Sequence, residues 1–147
     1  MNITTKLPSH TLSFCLRLAK ANAALVRRFD GRLGTLHGIG FGDFMVLLAL
    51  SQAPGAKLRR IDLAGELGLT ASAVTRTLIP LEKIGLVKRQ HDPRDARVGY
   101  ATLTESGRRI LAESLASAEV VSQDALPRQH AAELQPLAEV LGQIGSL

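Results

Sequence analysis

Aromatic rings and thiols are scarce in this chain. Tryptophan is absent, tyrosine occurs once, and the aromatic share of the 147 residues is 3%. A single cysteine, Cys15, excludes an intramolecular disulfide framework. The four histidines (His10, His37, His91, His130) are scattered, with no pair at ligand spacing, so no metal site is expected. No run of about 18 apolar residues exists, which argues against a membrane span. The N-terminal MNITTKLPSH lacks an apolar stretch followed by a cleavage site, so no secretory signal is expected. Together these absences point to the cytoplasm. The glycines of DGRLGTLHGIGFG (30–42) fit neither the dinucleotide fingerprint nor the phosphate loop. Asp62 and Glu66 lie one turn apart on an expected helix, where a solvated pair near a helix start is the simpler reading than an acid–base couple. No enzymatic activity and no cofactor are expected.

What the chain does have is aliphatic. Hydrophobic residues make up 46%, mostly Ala and Leu, and both favour helix. The length suits one domain, 1–147. The net charge is +5 and unevenly spread. Residues 57–97 hold nine Lys/Arg against five Asp/Glu, whereas residues 110–147 hold one Arg against five acids. A basic block of this kind is either a solvated face or a footprint for a polyanion.

Residues 9–34 have the period of a long helix, with apolar positions at Leu12, Leu16, Ala19, Ala23, Val26 and Leu33. A second stripe (Phe14, Leu18, Leu25, Phe29) exceeds what a surface helix needs against one core. Gly31, Gly34, Gly38 and Gly40 are expected to break the chain. A second helix covers 41–52 and stops at Pro54-Gly55, and a short edge strand over Lys57–Arg59 is possible. Next come a short helix at 61–68, ended by Gly68, and a helix at 71–85 capped by Thr70. Pro80 predicts a bend or loosened turn near Arg76–Pro80. LVKRQ (86–90) and VGYATL (98–103) then flank HDPRDAR (91–97) as strands flank a hairpin tip. Thr104 caps a helix at about 105–125. Pro127 suits the first turn of a last helix, whose stripe is Leu134, Leu137, Ala138, Leu141 and Ile144, with Pro136 as a second kink candidate.

The centre is thus helix, tight turn, helix and hairpin. Small Ala64, turn residue Gly68 and apolar Val74 have the spacing that packs two helices steeply. An ordinary helical hairpin can show this spacing by chance, but a charged-tipped hairpin immediately after it favours a winged helix-turn-helix. The second helix carries small or polar Ala71, Ser72, Thr75, Arg76 and Thr77 beside its apolar stripe, and a helix in a DNA major groove needs short side chains with donors and acceptors. Ser72, Thr75, Arg76 and Thr77 are the candidate base-facing residues. Arg94, and with it Arg97, would reach a neighbouring minor groove, whose narrow walls concentrate negative potential. Asp92 and Asp95 would fix the turn and pair with one arginine, leaving the other free. Lys57, Arg59, Arg60, Lys88 and Arg89 would bind phosphates, which position a protein without reading sequence.

Residues 63–107, LAGELGLTASAVTRTLIPLEKIGLVKRQHDPRDARVGYATLTESG, resemble the winged-helix core of the MarR (multiple antibiotic resistance regulator) family. The most specific part is D-P-x-D-x-R followed by L-T-x-x-G, here Asp92, Pro93, Asp95 and Arg97, then Leu103, Thr104 and Gly107. The resemblance implies a mainly α fold with a small β-hairpin, and a cytoplasmic homodimer that binds palindromic double-stranded DNA and usually represses. It assigns 9–36 and 108–147 to dimerisation and 41–104 to the DNA-binding unit. It also implies an aromatic or phenolic effector in a cleft, for which Arg17, His37, Phe41 and Phe44 are candidate lining residues. A peroxide-sensing branch of the family makes Cys15 a candidate redox site, although the only tyrosine, Tyr100, lies in the wing. A winged helix used only for protein contact is the remaining alternative, against which the basic charge of the block argues. Pro80 departs from the family pattern.

Overall fold

The computed structural model describes residues 6–146. Helix α1 (His10–His37) begins under a Ser9 hydroxyl that accepts the Leu12 amide at 3.2 Å, and it ends at Gly38, whose φ is 70°. Gly31 and Gly34 lie inside this helix rather than ending it. A helical glycine costs roughly 1 kcal/mol relative to alanine, and burial of Phe29 and Leu33 on the same turns outweighs that. Of Gly31, Gly34, Gly38 and Gly40, only Gly38 takes the left-handed backbone expected of a stop.

The chain bends by 79° into α2 (Phe41–Gln52). Two carboxylates hold the start of α2. Asp30, from α1, accepts the Phe41 amide at 2.7 Å, and Asp43 accepts the Gly40 amide at 2.8 Å. Both meet the positive end of the helix. Phe44, Val46, Leu47 and Leu50 make α2 the buried centre of the molecule.

A single 3-10 turn, Pro54–Ala56, leads into β1 (Lys57–Arg59). Helices α3 (Arg60–Leu67) and α4 (Ala71–Lys83) follow, then β2 (Val87–His91) and β3 (Gly99–Leu103). The antiparallel sheet has the order β1-β3-β2, with Arg59 opposite Tyr100 and Val87 opposite Leu103. Helix α5 (Glu105–Ala125), a 3-10 segment (Arg128–Glu133) and α6 (Leu134–Gly145) complete the chain. No single helix among the described residues is long and apolar enough to cross a membrane.

Neither proline breaks its helix. Pro80 sits in a helix that runs unbroken from Ala71 to Lys83. It deprives only the Arg76 carbonyl of an amide partner, and both residues are exposed, so solvent can serve that oxygen. Buried Val74, Leu78 and Leu81 anchor the helix on either side. Pro136 is the third residue of α6, in the first turn, where amides have no obligatory intrahelical partner.

The core joins the end of α1 to α2, α3, α4, the sheet and one face of α5; Leu33, Leu47, Leu50, Leu63, Val74 and Leu81 are fully buried. Two surfaces remain apolar and uncovered. Helix α6 is exposed throughout, with Leu134, Leu137, Val140, Leu141 and Ile144 all in solvent. The first half of α1 exposes Leu12, Phe14 and Leu16. Phe14, Leu18 and Ala21 of α1 face Leu137, Val140 and Leu141 of α6 across a groove of about 340 Å³.

Thr104 and Gly107 seat α5. The Thr104 hydroxyl accepts the Gly107 amide at 3.0 Å and donates toward the carbonyls of Gly85 (2.6 Å) and Leu86 (3.0 Å). A side-chain carbon on Gly107 would collide with the Leu86 carbonyl oxygen and come within 2.6 Å of Leu103 Cδ1. Gly107→Ala should therefore lower stability by about 1–3 kcal/mol, as overpacking does. Urea denaturation reads this directly, and an unchanged midpoint would mean that α5 can slide without cost.

Candidate nucleic-acid interface

The α3–α4 joint has the construction its residues suggested. Leu63, Ala64 and Val74 are buried where the helices cross. Gly68, at φ 63°, makes the turn, and the Leu69 amide returns to the Ala64 carbonyl at 2.9 Å. Thr70 Oγ1 accepts the Ala73 amide at 3.2 Å and starts α4.

Helix α4 buries Val74, Leu78 and Leu81 and exposes Ala71, Ser72, Arg76, Ile79, Pro80 and Lys83. Of the four side chains expected to face bases, Ser72 and Arg76 stand on this open face. The two threonines are half-buried and turn to their own helix: Thr75 Oγ1 donates to the Ala71 carbonyl at 3.0 Å, and Thr77 Oγ1 to the Ala73 carbonyl at 3.2 Å. Thr75 also accepts from Arg60 Nη1 at 3.2 Å, which ties the first residue of α3 to α4.

The cations divide into held and free. Arg59 grips Asp62 with two hydrogen bonds, of 2.7 and 3.1 Å. That hydrogen bond is the main cause that raises the Arg59 pKa and lowers the Asp62 pKa. The Lys57 ammonium lies over the Tyr100 ring, 4.9 Å from its centre. Lys88 and Arg89 are exposed on β2. Helix α4 and the wing border one cleft of about 100 Å³, with Arg60, Arg89, His91 and Arg97 on its rim and Glu82 as the acid among them.

At the wing tip the aspartates build the loop. Asp92 Oδ1 accepts the amides of Arg94 (2.7 Å) and Asp95 (3.2 Å), and its Oδ2 accepts the Tyr100 hydroxyl at 3.2 Å. Asp95 accepts the Arg97 amide at 3.0 Å and the Arg97 guanidinium through two bonds of 3.1 Å. Arg97 is thus the paired arginine. Arg94 is exposed and has no ion pair among the described residues. The part of Tyr100 was missed from sequence; its single-residue spacing from the strand end gave no signal.

The four residues expected to line an effector cleft do not converge within one chain. Phe41 stacks on Phe29 (centres 4.2 Å apart) and lies 6.3 Å from Phe44, and Phe44 is buried. His37 Nε2 is 2.8 Å from Ser117 Oγ and links α1 to α5. Arg17 lies in the α1–α6 groove, roughly 30 Å along the same helix from His37. Cys15 is exposed.

A sequence model of the MarR family matches residues 42–98, from the start of α2 to the end of the wing tip. Over those residues, fewer than half of the chain, it is similar to the MarR family. It is similar to the transcriptional regulator HosA of Escherichia coli O111:H-, 30% identical over 86 residues. That match covers 58% of this chain and 62% of HosA, so it spans less than two thirds of the relative. Two solved structures share the fold. Sco3205 of Streptomyces coelicolor, a MarR family transcriptional regulator in complex with DNA, superposes with a TM-score of 0.79 at 22% identity, covering 97% of this chain and 92% of that one. BpsR of Bordetella bronchiseptica, whose DNA binding is regulated by 6-hydroxynicotinic acid, gives 0.83 at 21% identity, covering 97% and 99%. The likeness over nearly the full length extends the shared fold to α1, α5 and α6.

The wing has a titration signature. The Arg94 amide, first, then the Asp95 amide, the Tyr100 hydroxyl and the Lys57 charge all favour ionised Asp92 against a desolvation cost, and hold its pKa below the ordinary aspartate value. The turn's contribution is therefore complete above the unfolded aspartate pKa and lost as pH falls through the lower folded one. The Asp92 carboxyl carbon should titrate by NMR below the ordinary aspartate range, and Asp92→Ala should speed amide exchange at Arg94 and Asp95. A midpoint at or above the ordinary value would contradict the assigned role.

Proposed function

We propose that this chain is a sequence-specific, DNA-binding transcription regulator that works as a cytoplasmic homodimer. The observation that carries the reading is the pairing of an open, short-side-chain face on α4 (Ser72, Arg76) with a preformed wing whose Arg94 is uncommitted. Ser72 and Arg76 would read base edges, and Arg76 has the reach for guanine or a phosphate. Arg94 would enter the adjacent minor groove. Exposed Lys88 and Arg89 would meet phosphates, with Lys57 and Arg60 behind them. Arg59 and Arg97 would serve mainly to shape the reading head, because their guanidinium groups already hold Asp62 and Asp95.

A second copy would cover the apolar residues of α6 and of the first half of α1, which are left exposed among the described residues. Two-fold pairing would set two copies of α4 one helical turn apart, about 34 Å, on a palindrome. The DNA complex of Sco3205 and the ligand-regulated DNA binding of BpsR support a repressor released by a small aromatic acid. Such a ligand would act by favouring a dimer with wrongly spaced reading heads.

Selection of bound duplexes from a random pool tests this reading. A palindrome with half-sites one turn apart is the expected result, and an unenriched pool would overturn the proposal. On the selected duplex, Arg76→Ala should cost about 1–3 kcal/mol of specific affinity while random duplexes change little; equal losses on both would remove Arg76 from sequence reading. Leu141→Asp should convert the dimer to monomer in sedimentation and abolish operator binding with it. A variant that remains dimeric would move the subunit contact away from α6.

A further inference from the structure

We propose that Ile79 is a specificity-determining residue that reads the C5-methyl group of thymine. The inference rests on the DNA-binding reading above and adds an apolar contact to it. Four side chains form one line along α4 opposite the buried Val74, Leu78 and Leu81: Ser72, Arg76, Ile79 and Lys83, at intervals of four, three and four residues. Three of them suit solvent. Ile79 does not, and it is 47% exposed. It is the only large apolar side chain of α4 left in solvent among the described residues. A β-branched residue is also a poor choice for an exposed helix position on propensity alone. Pro80, beside it and exposed, widens the apolar spot and adds no charge.

The surroundings select the occupant. Arg76 and Lys83 flank Ile79 on the helix, and the neighbouring cleft toward the wing is rimmed by Arg60, Arg89, His91 and Arg97 against one acid, Glu82. An apolar spot within a cationic surface matches a polyanion that itself offers apolar groups. The major groove of DNA does so, since the thymine methyl is its apolar feature. Ile79 lies seven residues beyond Ser72, about 10 Å along the helix. At about 3.4 Å per base step this is some three steps away. Ile79 thus reads a position that Ser72 does not reach.

The experiment uses the full chain and its selected duplex, with each thymine replaced in turn by deoxyuridine, which removes only the methyl group. Affinity is measured by fluorescence anisotropy. Loss of one methyl contact should weaken wild-type binding about three- to tenfold at one position in each half-site. Ile79→Ala should show the same loss on the thymine duplex and become indifferent to deoxyuridine there, while Ile79→Val should remain sensitive. The thermal melt of Ile79→Ala should match wild type, because the side chain lies outside the core. Insensitivity of the wild type to every deoxyuridine, or undiminished sensitivity in Ile79→Ala, overturns the proposal while DNA binding stands. Failure of the wild type to select any duplex overturns both readings.

Discussion

The Leu86 carbonyl is the point on which the arrangement of this chain depends. It accepts the Thr104 amide at 3.2 Å and the Thr104 hydroxyl at 3.0 Å, and the Cα of Gly107 packs against it. Three elements meet there: the exit from α4 through Gly85, the first residues of β2, and the first turn of α5. A buried carbonyl needs a partner, and a second donor from a helix cap makes the contact directional as well as close. The start of α5 therefore fixes where α4 hands over to β2, while α3 packs along α4 itself. The sheet adds to this, because β3 runs directly into α5 through Thr104 and pairs with both β1 and β2.

The charges of the reading head follow a division of labour that bare counts conceal. Asp62, Asp92 and Asp95 each have a pKa drawn below the ordinary value by bonds to named donors. Two of these acids hold arginine side chains and the third holds amides. Such exposed pairs contribute little to stability under ordinary salt. Their effect is conformational. Asp92 and Asp95 keep the seven-residue tip in one shape, so that in the proposed complex Arg94 would meet a groove without first ordering its own loop.

Much of the fold could be read from local chemistry. Thr70, Gly68 and Thr104 are cap and stop signals whose meaning depends on a few neighbouring atoms, and each takes its expected place. The division of the wing arginines into one held and one free also followed from two aspartates beside two arginines. What escaped depends on contacts between distant segments. Gly31 and Gly34 stay helical because Phe29 and Leu33 bury against α2 and α5, which periodicity alone does not weigh. Thr75 and Thr77 count as polar in a sequence, but a hydroxyl that donates to the carbonyl four residues back is spent. Phe41 and Phe44 looked free to line a cleft, but Phe41 stacks on Phe29 and Phe44, beside Phe41, is buried in the core. Pro80 and Pro136 sit where the missing amide costs little, one over an exposed carbonyl and the other in a first turn.

The same geometry bears on how an effector could act in the proposed dimer. Helix α5 is 21 residues long and continuous, roughly 31 Å from the reading head to the region of the uncovered apolar surface. It holds α1 along its length, through buried Ala118 and Val121 and through Ser117 bonded to His37. A close-packed pair of helices without a break transmits displacement as a body instead of absorbing it. A small rotation where α1 and α6 meet a second subunit would therefore arrive at Leu86 nearly undiminished and carry α4 with it. Regulation of this kind needs no hinge inside the winged unit. It needs only that the subunit face admit two packings that differ slightly in angle, and a groove of about 340 Å³ between α1 and α6 leaves room for the second.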